Sequence, residues 1–498
     1  MAEQNLKNKT ISSMVWTATQ KFGVLILSFI SNLVLAWYLS AEDFGAIGML
    51  SVFITLSETF IDSGLGAALI QKDNPSELDY STVFWTNLFI SILLYIILFF
   101  CAPLISAFYK MGILVPILRV KAIVLIIQGF RIIQTTRLQK NLSFKKISIV
   151  YLIASAISTI LAIIAAIMGL GVWSLVIKTL TDTFIRTNIF WIIGKWKPLF
   201  AFSKKSFKEL FSYGGVMLST SIIITLYSNI QALIIGKAFS AVELGYYTQA
   251  TKLENIPTSA FEQIVNQVTF PVFSKMKDDI EILKNGLKKI VVSISYISFP
   301  MMIFFIVNAF PIFDFFYPSK WEPAIPYFRY LCLVGMMVSV NTMNTNLIKA
   351  TGQKGLYFKL QVIKRIVGII LIILSVYFGI VGLLIARVII EYLFFIINAL
   401  VTKKAIKYAV IEQIKDILPN YILSLVTGVL TYLLFQHIHF TFLIDRINNL
   451  LHIISSFLIF TSFYILISNL FKFEAFIIYK NIIKQKLSKK GKNKEKIA

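Results

Sequence analysis

The chain has 498 residues, of which 57% are hydrophobic and 14% are charged, and its formal net charge is +24. Soluble domains carry about 25% charged residues, and here long apolar runs recur along the whole sequence. The composition therefore excludes a soluble protein and predicts an all-α membrane protein, since the runs are far longer than barrel strands. No small-residue cleavage site follows the first apolar run, so we expect it to be a retained span.

About fourteen segments approach the ~20 residues that a bilayer requires. They cover 13–38, 44–70, 80–108, 114–137, 147–169, 171–194, 210–236, 241–273, 288–313, 323–349, 356–379, 381–402, 416–436 and 449–471.

The basic residues are distributed unevenly between the loops. Lysines concentrate in alternate loops, such as 140–146, 195–208 and 403–407, whereas the intervening loops are short and mixed in charge. The positive-inside rule then predicts that both termini are cytoplasmic. It also accounts for the net charge without a nucleic-acid partner. The lysine-rich tail, 476–498, is expected to lie on anionic membrane lipids.

The sequence contains an internal repeat. SAEDFG at 40–45 is echoed 200 residues later by SAVELG at 240–245, which places Glu262 opposite Asp62. An offset of 210 aligns Arg119 with Arg329 and Gln134-Thr135 with Asn344-Thr345, and an offset of 209 aligns Lys178 with Arg387 and Asp182 with Glu391. The same order of matches predicts two pseudo-symmetric six-helix lobes, related as parallel repeats, with a substrate path between them.

This repeat predicts a domain organisation. We expect an N-lobe (1–200), a linker (201–209) in an amphipathic surface segment, a C-lobe (210–402), two appended spans (403–475) and the basic tail (476–498).

Charges inside the predicted spans are the candidate functional residues, because each costs at least ~2.5–3.5 kcal/mol in hydrocarbon. The alternative is a structural role in ion pairs or snorkelling near span ends. Cavity-lining candidates for an anionic substrate are Lys252, Arg131, Arg329, Asn341 and Asn344, and ion-coupling candidates are Glu58, Asp62 and Glu254.

Two further features of the spans predict structure. In Lys178–Asp182 and in Arg387–Glu391 a base precedes an acid by four residues, which predicts structural ion pairs on one helix face. Pro257 predicts a kink, either a gating device or a packing feature.

Nothing in the sequence indicates catalysis, so we expect a non-enzyme. The histidines, His437, His439 and His452, surround the last outer loop and have no neighbouring cysteine or carboxylate cluster of metal-site type. A phosphate-binding loop of the GxxxxGK[ST] form is absent from the sequence. We therefore predict no catalytic residue, no metal and no cofactor, apart from an H⁺ or Na⁺ coupling ion.

Several stretches together carry a family resemblance. They are SAEDFG at 40–45, DSGLGAALIQ at 62–71, QKNLSFK at 139–145, GLGVWSLV at 169–176, LGYYTQATKL at 244–253 with Pro257, and Phe270-Pro271. Over residues 5–475 the chain resembles the Wzx-type polysaccharide flippases of the multidrug/oligosaccharidyl-lipid/polysaccharide (MOP) exporter superfamily. The similarity is strongest to the branch that exports colanic-acid-like and teichuronic-acid-like polymers. Position 140, often Arg in such proteins, is Lys here.

The resemblance implies a MATE/MOP-like fold in the bacterial inner membrane. It also implies a transporter that flips an undecaprenyl-pyrophosphate-linked oligosaccharide, such as an O-antigen, capsule or exopolysaccharide unit, by alternating access driven by an ion gradient. Polysaccharide polymerase or assembly proteins are the implied partners. Two alternatives stay open, a MATE-type drug/cation antiporter and a flippase for the peptidoglycan precursor. A glycan polymerase would require a large outer loop, and the outer loops here are short.

Overall fold

A computed structural model describes residues 2–62, 64–276, 279–352, 354–438 and 445–481, and their regular structure is helical. The chain divides into two compact units, Met1–Thr248 and Gln249–Ala498. Residues 482–498, most of the predicted basic tail, lie outside the described residues, as does His439.

The α-helices follow one another along both units, and α10 crosses the boundary between them. In chain order they are α1 (Ala2–Tyr38), α2 (Ala41–Asp62), α3 (Leu65–Gln71), α4 (Glu77–Tyr109), α5 (Leu114–Lys121), α6 (Ile123–Lys140), α7 (Phe144–Ile167), α8 (Trp173–Gly194), α9 (Lys204–Ala238), α10 (Ala241–Met276), α11 (Ile280–Val307), α12 (Ala309–Phe316), α13 (Ile325–Ala350), α14 (Lys354–Ser375), α15 (Gly379–Ile406), α16 (Val410–Phe435) and α17 (Asp445–Leu470).

Ten helical segments in the described part of the chain are long and apolar enough to cross a membrane. The predicted number was fourteen. The difference has a physical reason: the helices at 114–140, 173–194 and 241–276 carry several charges each, and the predicted spans 356–379 and 381–402 merge into one apolar segment, Gly355–Ile406. The count of fourteen and the division into two six-helix lobes stay predictions.

Side-chain caps define where the repeated helices begin. The Asp43 carboxylate accepts hydrogen bonds from the Ser40 backbone N–H at 2.9 Å and hydroxyl at 2.8 Å, and the Asp43 N–H donates to the Ser40 hydroxyl. The Ser240 hydroxyl accepts from the Glu243 N–H at 3.1 Å. Such caps satisfy backbone donors that have no partner within the helix, so the serine of each repeat starts α2 or α10.

The two copies of this motif contact each other within the first unit. A Cβ on Gly45 would collide with the carbonyl oxygen of Ala241, and a Cβ on Gly245 would collide with that of Ala41. Only glycine permits this reciprocal backbone approach. The repeated SAxxxG sequence therefore encodes a contact between α2 and the start of α10 as well as two helix starts.

Packing in the first unit pairs α1 with α7, α7 with α8, α4 with α6, and α2 with α9. In the second unit α11 packs against α16 and α13, and α13 packs against α15. In addition α6 packs against α8, so in each unit several predicted site residues lie on neighbouring helices.

The segment between α8 and α9 is an extended strap rather than a helix over residues 195–203. It is fastened to α4 and its N-terminus: the Trp196 indole donates to Glu77 at 2.5 Å, and the Leu199 N–H donates to the Ser81 hydroxyl at 2.9 Å. Phe200 is 95% exposed. The predicted lobe boundary at 201–209 remains a prediction.

Candidate functional site

In the first unit the candidate site is built on α2 and α6. Glu58 is half-buried, and Asp62, one turn further along α2, is exposed. Arg131 on α6 is close enough to act electrostatically on both carboxylates, and Lys121 on α5 acts on Glu58. Two of the three predicted coupling acids, Glu58 and Asp62, and one predicted cavity cation, Arg131, are therefore brought together.

Arg131 lies among several acids without pairing to one. Its charge also acts on Asp182 of α8, yet among the described residues no carboxylate lies within 4.0 Å of the Arg131 guanidinium. Guanidinium donors match phosphate oxygens in a two-pronged geometry. Arg131 is thus a half-buried cation whose N–H groups can donate hydrogen bonds to an anionic group.

The structure corrects one predicted ion pair. Asp182 accepts a hydrogen bond from Arg186 at 2.8 Å, one turn toward the C-terminus of α8, and Arg186 stacks over Tyr151. Lys178 instead donates to the Ser31 hydroxyl of α1 at 2.7 Å. A base four residues later satisfies the helical spacing as well as one four residues earlier, so spacing alone could not choose between the two.

Lys121 is buried more deeply than its sequence position indicates. It is 4% exposed and donates to the Ser51 hydroxyl at 3.4 Å. The predicted span 114–137 places it near an outer end, where snorkelling is expected. The chain breaks this span at Ala122 into α5 and α6, which turns the Lys121 side chain inward.

In the second unit the corresponding site is a closed hydrogen-bonded network. The Arg387 guanidinium lies 3.5 Å from the Glu391 carboxylate. The Asn341 amide donates to the Glu391 carboxylate at 2.7 Å, and the Asn398 amide donates to the Asn341 oxygen at 2.8 Å. The Lys364 ammonium donates to Asn398 at 3.4 Å. Asn341 is thus bonded to protein groups on both of its polar atoms.

The role of Asn398 was missed from the sequence. It follows Glu391 by seven residues, which is two turns on the same face of α15. That spacing was the signal that could have identified it.

Asn344, one turn further along α13, has protein partners as well. Its amide donates to Gln413 at 3.1 Å, and its oxygen accepts from the Thr402 hydroxyl at 2.9 Å. It is fully buried. The structure therefore places Asn344 in contacts that connect α13 with α15 and α16.

The remaining predicted residues lie on α10 and near the start of α13, and Glu254 is close enough to Arg387 and Glu391 of this network for their charges to interact. Glu254 is buried in α10 and accepts a hydrogen bond from Thr258. Lys252 on α10 and Arg329 on the second turn of α13 have exposed side chains. Pro257 is buried within α10, which runs as one helix from Ala241 to Met276. Its role in gating stays a prediction.

Comparison with known proteins finds relatives that are named for teichuronic acid and lipopolysaccharide biosynthesis. The chain is 26% identical over 356 residues to the teichuronic acid biosynthesis protein TuaB of Bacillus subtilis (strain 168), an alignment covering 71% of this chain and 74% of TuaB. It is 26% identical over 366 residues to the lipopolysaccharide biosynthesis protein WzxC of Escherichia coli (strain K12), covering 72% of this chain and 74% of WzxC.

Two solved structures show the fold. The lipid II flippase MurJ in an inward closed conformation matches with a TM-score of 0.73 at 18% identity, over 92% of this chain and 99% of MurJ. An inward-facing multidrug resistance MATE transporter of the MOP superfamily matches with a TM-score of 0.59 at 13% identity, over 79% and 99%. The chain is an all-α membrane protein with a MATE/MurJ-like fold.

The family description "Polysaccharide biosynthesis protein" matches residues 34–326. Because this match covers more than half of the sequence, the chain belongs to the polysaccharide biosynthesis protein family.

Proposed function

We propose that this polysaccharide biosynthesis transporter flips an undecaprenyl-pyrophosphate-linked oligosaccharide across the bacterial inner membrane, and that Arg131 binds the pyrophosphate. The observation that carries the proposal is the half-buried Arg131 guanidinium with no carboxylate partner in ion-pairing contact among the described residues. A pyrophosphate would supply the paired anionic oxygens that a guanidinium binds best.

The acids beside Arg131 suit a cycle of binding and release. Glu58 and Asp62 lie close enough to Arg131 for their charges to interact. In the proposed cycle these carboxylates compensate the Arg131 charge after the lipid head has left. Uptake of H⁺ or Na⁺ then neutralises the carboxylates, so the Arg131 charge is again available to bind the next substrate. Alternating access by motion of the two predicted lobes would carry the head across while the polyprenyl tail stays in the bilayer.

The test uses purified protein in liposomes with a fluorescent undecaprenyl-pyrophosphate-linked oligosaccharide. The measurement is the rate at which the sugar becomes accessible to a membrane-impermeant quencher. Arg131→Gln should slow flipping about 100-fold, because two charge-assisted hydrogen bonds are lost. Arg119→Gln is the matched control, since Arg119 donates to the Phe99 carbonyl and stacks on its ring.

If Arg131→Gln flipped the lipid at the wild-type rate, the proposal would lose its basis. Lys252, the other predicted cation, is tested by Lys252→Gln alone and in combination with Arg131→Gln. The double variant should be inactive with normal protein levels. For coupling, Glu58→Gln with Asp62→Asn should abolish the acceleration by an imposed ion gradient, while Glu254→Gln tests the buried acid of α10 in the same assay.

The same liposomes discriminate the alternatives. A cationic dye is the substrate expected for a drug antiporter, and lipid II is the substrate expected for a peptidoglycan-precursor flippase. Gradient-driven dye transport, or flipping of lipid II in preference to the oligosaccharide lipid, would replace the proposed substrate. The proposed topology, with both termini cytoplasmic, is checked by cysteine accessibility at Lys9 and Lys480.

A further inference from the structure

The second unit contains a polar pocket at the end where α11 and α16 begin and α17 finishes. It has a volume of about 320 Å³. Lys415 and Asp416 from α16 line it together with Glu474, which follows α17, and Phe471 and Val292 form apolar walls. A pocket of this size and composition suits a small polar group attached to an apolar body.

The charges around this pocket are balanced. Asp416 pairs with Lys288 of α11 at 3.1 Å, and among the described residues Lys415 and Glu474 have no ion-pair partner within 4.0 Å. One ammonium and one carboxylate thus remain for a ligand that carries both signs of charge. A pyrophosphate, which carries only negative charge, would be repelled by the two carboxylates.

A second pocket, apolar and about 460 Å³ in volume, lies between α11 and α17. It is lined by aromatic and aliphatic side chains of α11 and α17, namely Tyr296, Ile297, Pro300, Met301, Phe304, Phe305, Phe457, Phe460, Thr461, Tyr464 and Ile465. Several of these side chains are exposed, including Met301, Phe457 and Ile465. In a bilayer this pocket meets the acyl chains of the lipids.

The two pockets are one helical turn apart. Val292 lines the polar pocket and Tyr296 lines the apolar one, and four residues of α-helix span about 6 Å. The wall between α11 and α17 is fixed because the Tyr296 hydroxyl donates to Ser468 at 2.8 Å and the Tyr464 hydroxyl donates to the Tyr296 carbonyl at 2.9 Å. The polar and the apolar pocket are therefore neighbours along α11 with this hydrogen-bonded contact between them, and we call the pair the amphipathic groove.

We propose that this groove of the second unit binds one bilayer phospholipid with a zwitterionic amine-phosphate headgroup. Lys415 would take the phosphate and Glu474 the amine, while one acyl chain occupies the apolar pocket between α11 and α17. The proposal is independent of the flipping activity and of Arg131.

The test is photo-crosslinking in nanodiscs with a phosphatidylethanolamine that carries a diazirine in its acyl chain. Adducts are mapped by peptide mass spectrometry and should concentrate on residues 292–305 and 457–465. Unlabelled phosphatidylethanolamine should compete, and phosphatidylglycerol, which lacks the amine, should not. Ile465→Trp should reduce labelling about tenfold, because it displaces about two methylenes of buried chain.

Leu458→Trp is the matched control, since Leu458 is exposed on α17 outside the pocket lining. Lys415→Gln combined with Glu474→Gln should remove the preference for the amine lipid and leave flipping intact. Uniform labelling of all exposed helices, or equal competition by phosphatidylglycerol, would overturn the proposal. Stronger competition by undecaprenyl phosphate would assign the groove to the transported lipid instead.

Discussion

The helix pair α6–α8 of the first unit and the pair α13–α15 of the second are aligned by the predicted sequence repeat, but their polar residues are paired differently. The repeat offsets align Arg131 with Asn341 and Asp182 with Glu391. In the second unit Asn341 donates directly to Glu391 at 2.7 Å. In the first unit Asp182 is bonded to Arg186, and Arg131 makes no such contact with a described carboxylate. A neutral amide thus completes the hydrogen-bonded network of the second pair, which we call the closed copy. In the first pair, the open copy, the Arg131 guanidinium has no ion-pairing carboxylate among the described residues.

Removing the Asn341 amide should disrupt the hydrogen-bonded network of the closed copy. Asn341→Ala leaves the Glu391 carboxylate and the Asn398 amide each short of a buried partner. Each such loss costs about 1–3 kcal/mol, and more for a charged group, so we expect a loss of about 4 kcal/mol in the free energy of unfolding. The measurement is denaturant unfolding in detergent.

Arg131→Ala is the matched variant in the open copy. It should change the free energy of unfolding by less than about 1 kcal/mol, because partly exposed charges without contact partners contribute little. If both variants lost the same stability, the distinction between a closed and an open copy would be wrong.

The repeat also differs in helix continuity. In the first unit α2 ends at Asp62 and α3 begins at Leu65, with Gly64 at φ 67°. In the second, α10 continues through the aligned Ile264. Gly64→Ala should cost about 2–3 kcal/mol, because alanine is strained at positive φ and its Cβ would lie 2.6 Å from the Gly214 carbonyl oxygen. Ile264→Ala on the exposed face of α10 is the control. A melting temperature unchanged by Gly64→Ala would contradict the tight packing of α9 on this turn.

Lys140 stabilises the end of α3, the short helix that follows the break after α2. Its ammonium donates to the carbonyls of Leu69, Ile70 and Lys72 at 3.1, 3.0 and 2.6 Å. The carbonyls at a helix end lack backbone partners and attract cations, so Lys140→Ala should cost about 1–2 kcal/mol. The aligned residue in the second unit is Ala350. No capping lysine is required there, because α10 has no break that corresponds to the one between α2 and α3. Lys140→Arg should retain most of the stability, and equal loss in both variants would argue against capping.

The smallest expected effect concerns Lys72, which follows α3. Burial alone would lower the pKa of Lys72, but hydrogen bonds to Glu209 and Asp79 outweigh it and raise that pKa above its ordinary value. The bridge then contributes its full stability below the unfolded pKa of about 10.4 and loses it as pH rises through the folded pKa. Lys72→Met should lower stability by less than about 1 kcal/mol at pH 8. The difference from wild type should shrink toward pH 11, and a constant difference would show that the charge is irrelevant.

Much of the fold followed from sequence patterns. Apolar run length predicted most of the long helices, because this signal is local. The stretches at 40–45, 62–71, 139–145, 169–176 and 244–253, taken together, also indicated the family. Partner choice was less predictable: the sequence paired Lys178 with Asp182, whereas the structure pairs Asp182 with Arg186. The burial of Lys121 depends on a helix break that no glycine or proline marks.

The sequence by itself determined the membrane class, the repeat and the set of charged residues inside the spans, because composition and periodicity are properties of the chain alone. Only the tertiary structure decided which of these charges are satisfied. Whether Arg131 or Asn341 finds a carboxylate depends on the packing of α6 against α8 and of α13 against α15. Hydrogen bonds require atoms to approach within about 3 Å, and for Arg131 and Asn341 the carboxylate that could approach lies on a neighbouring helix.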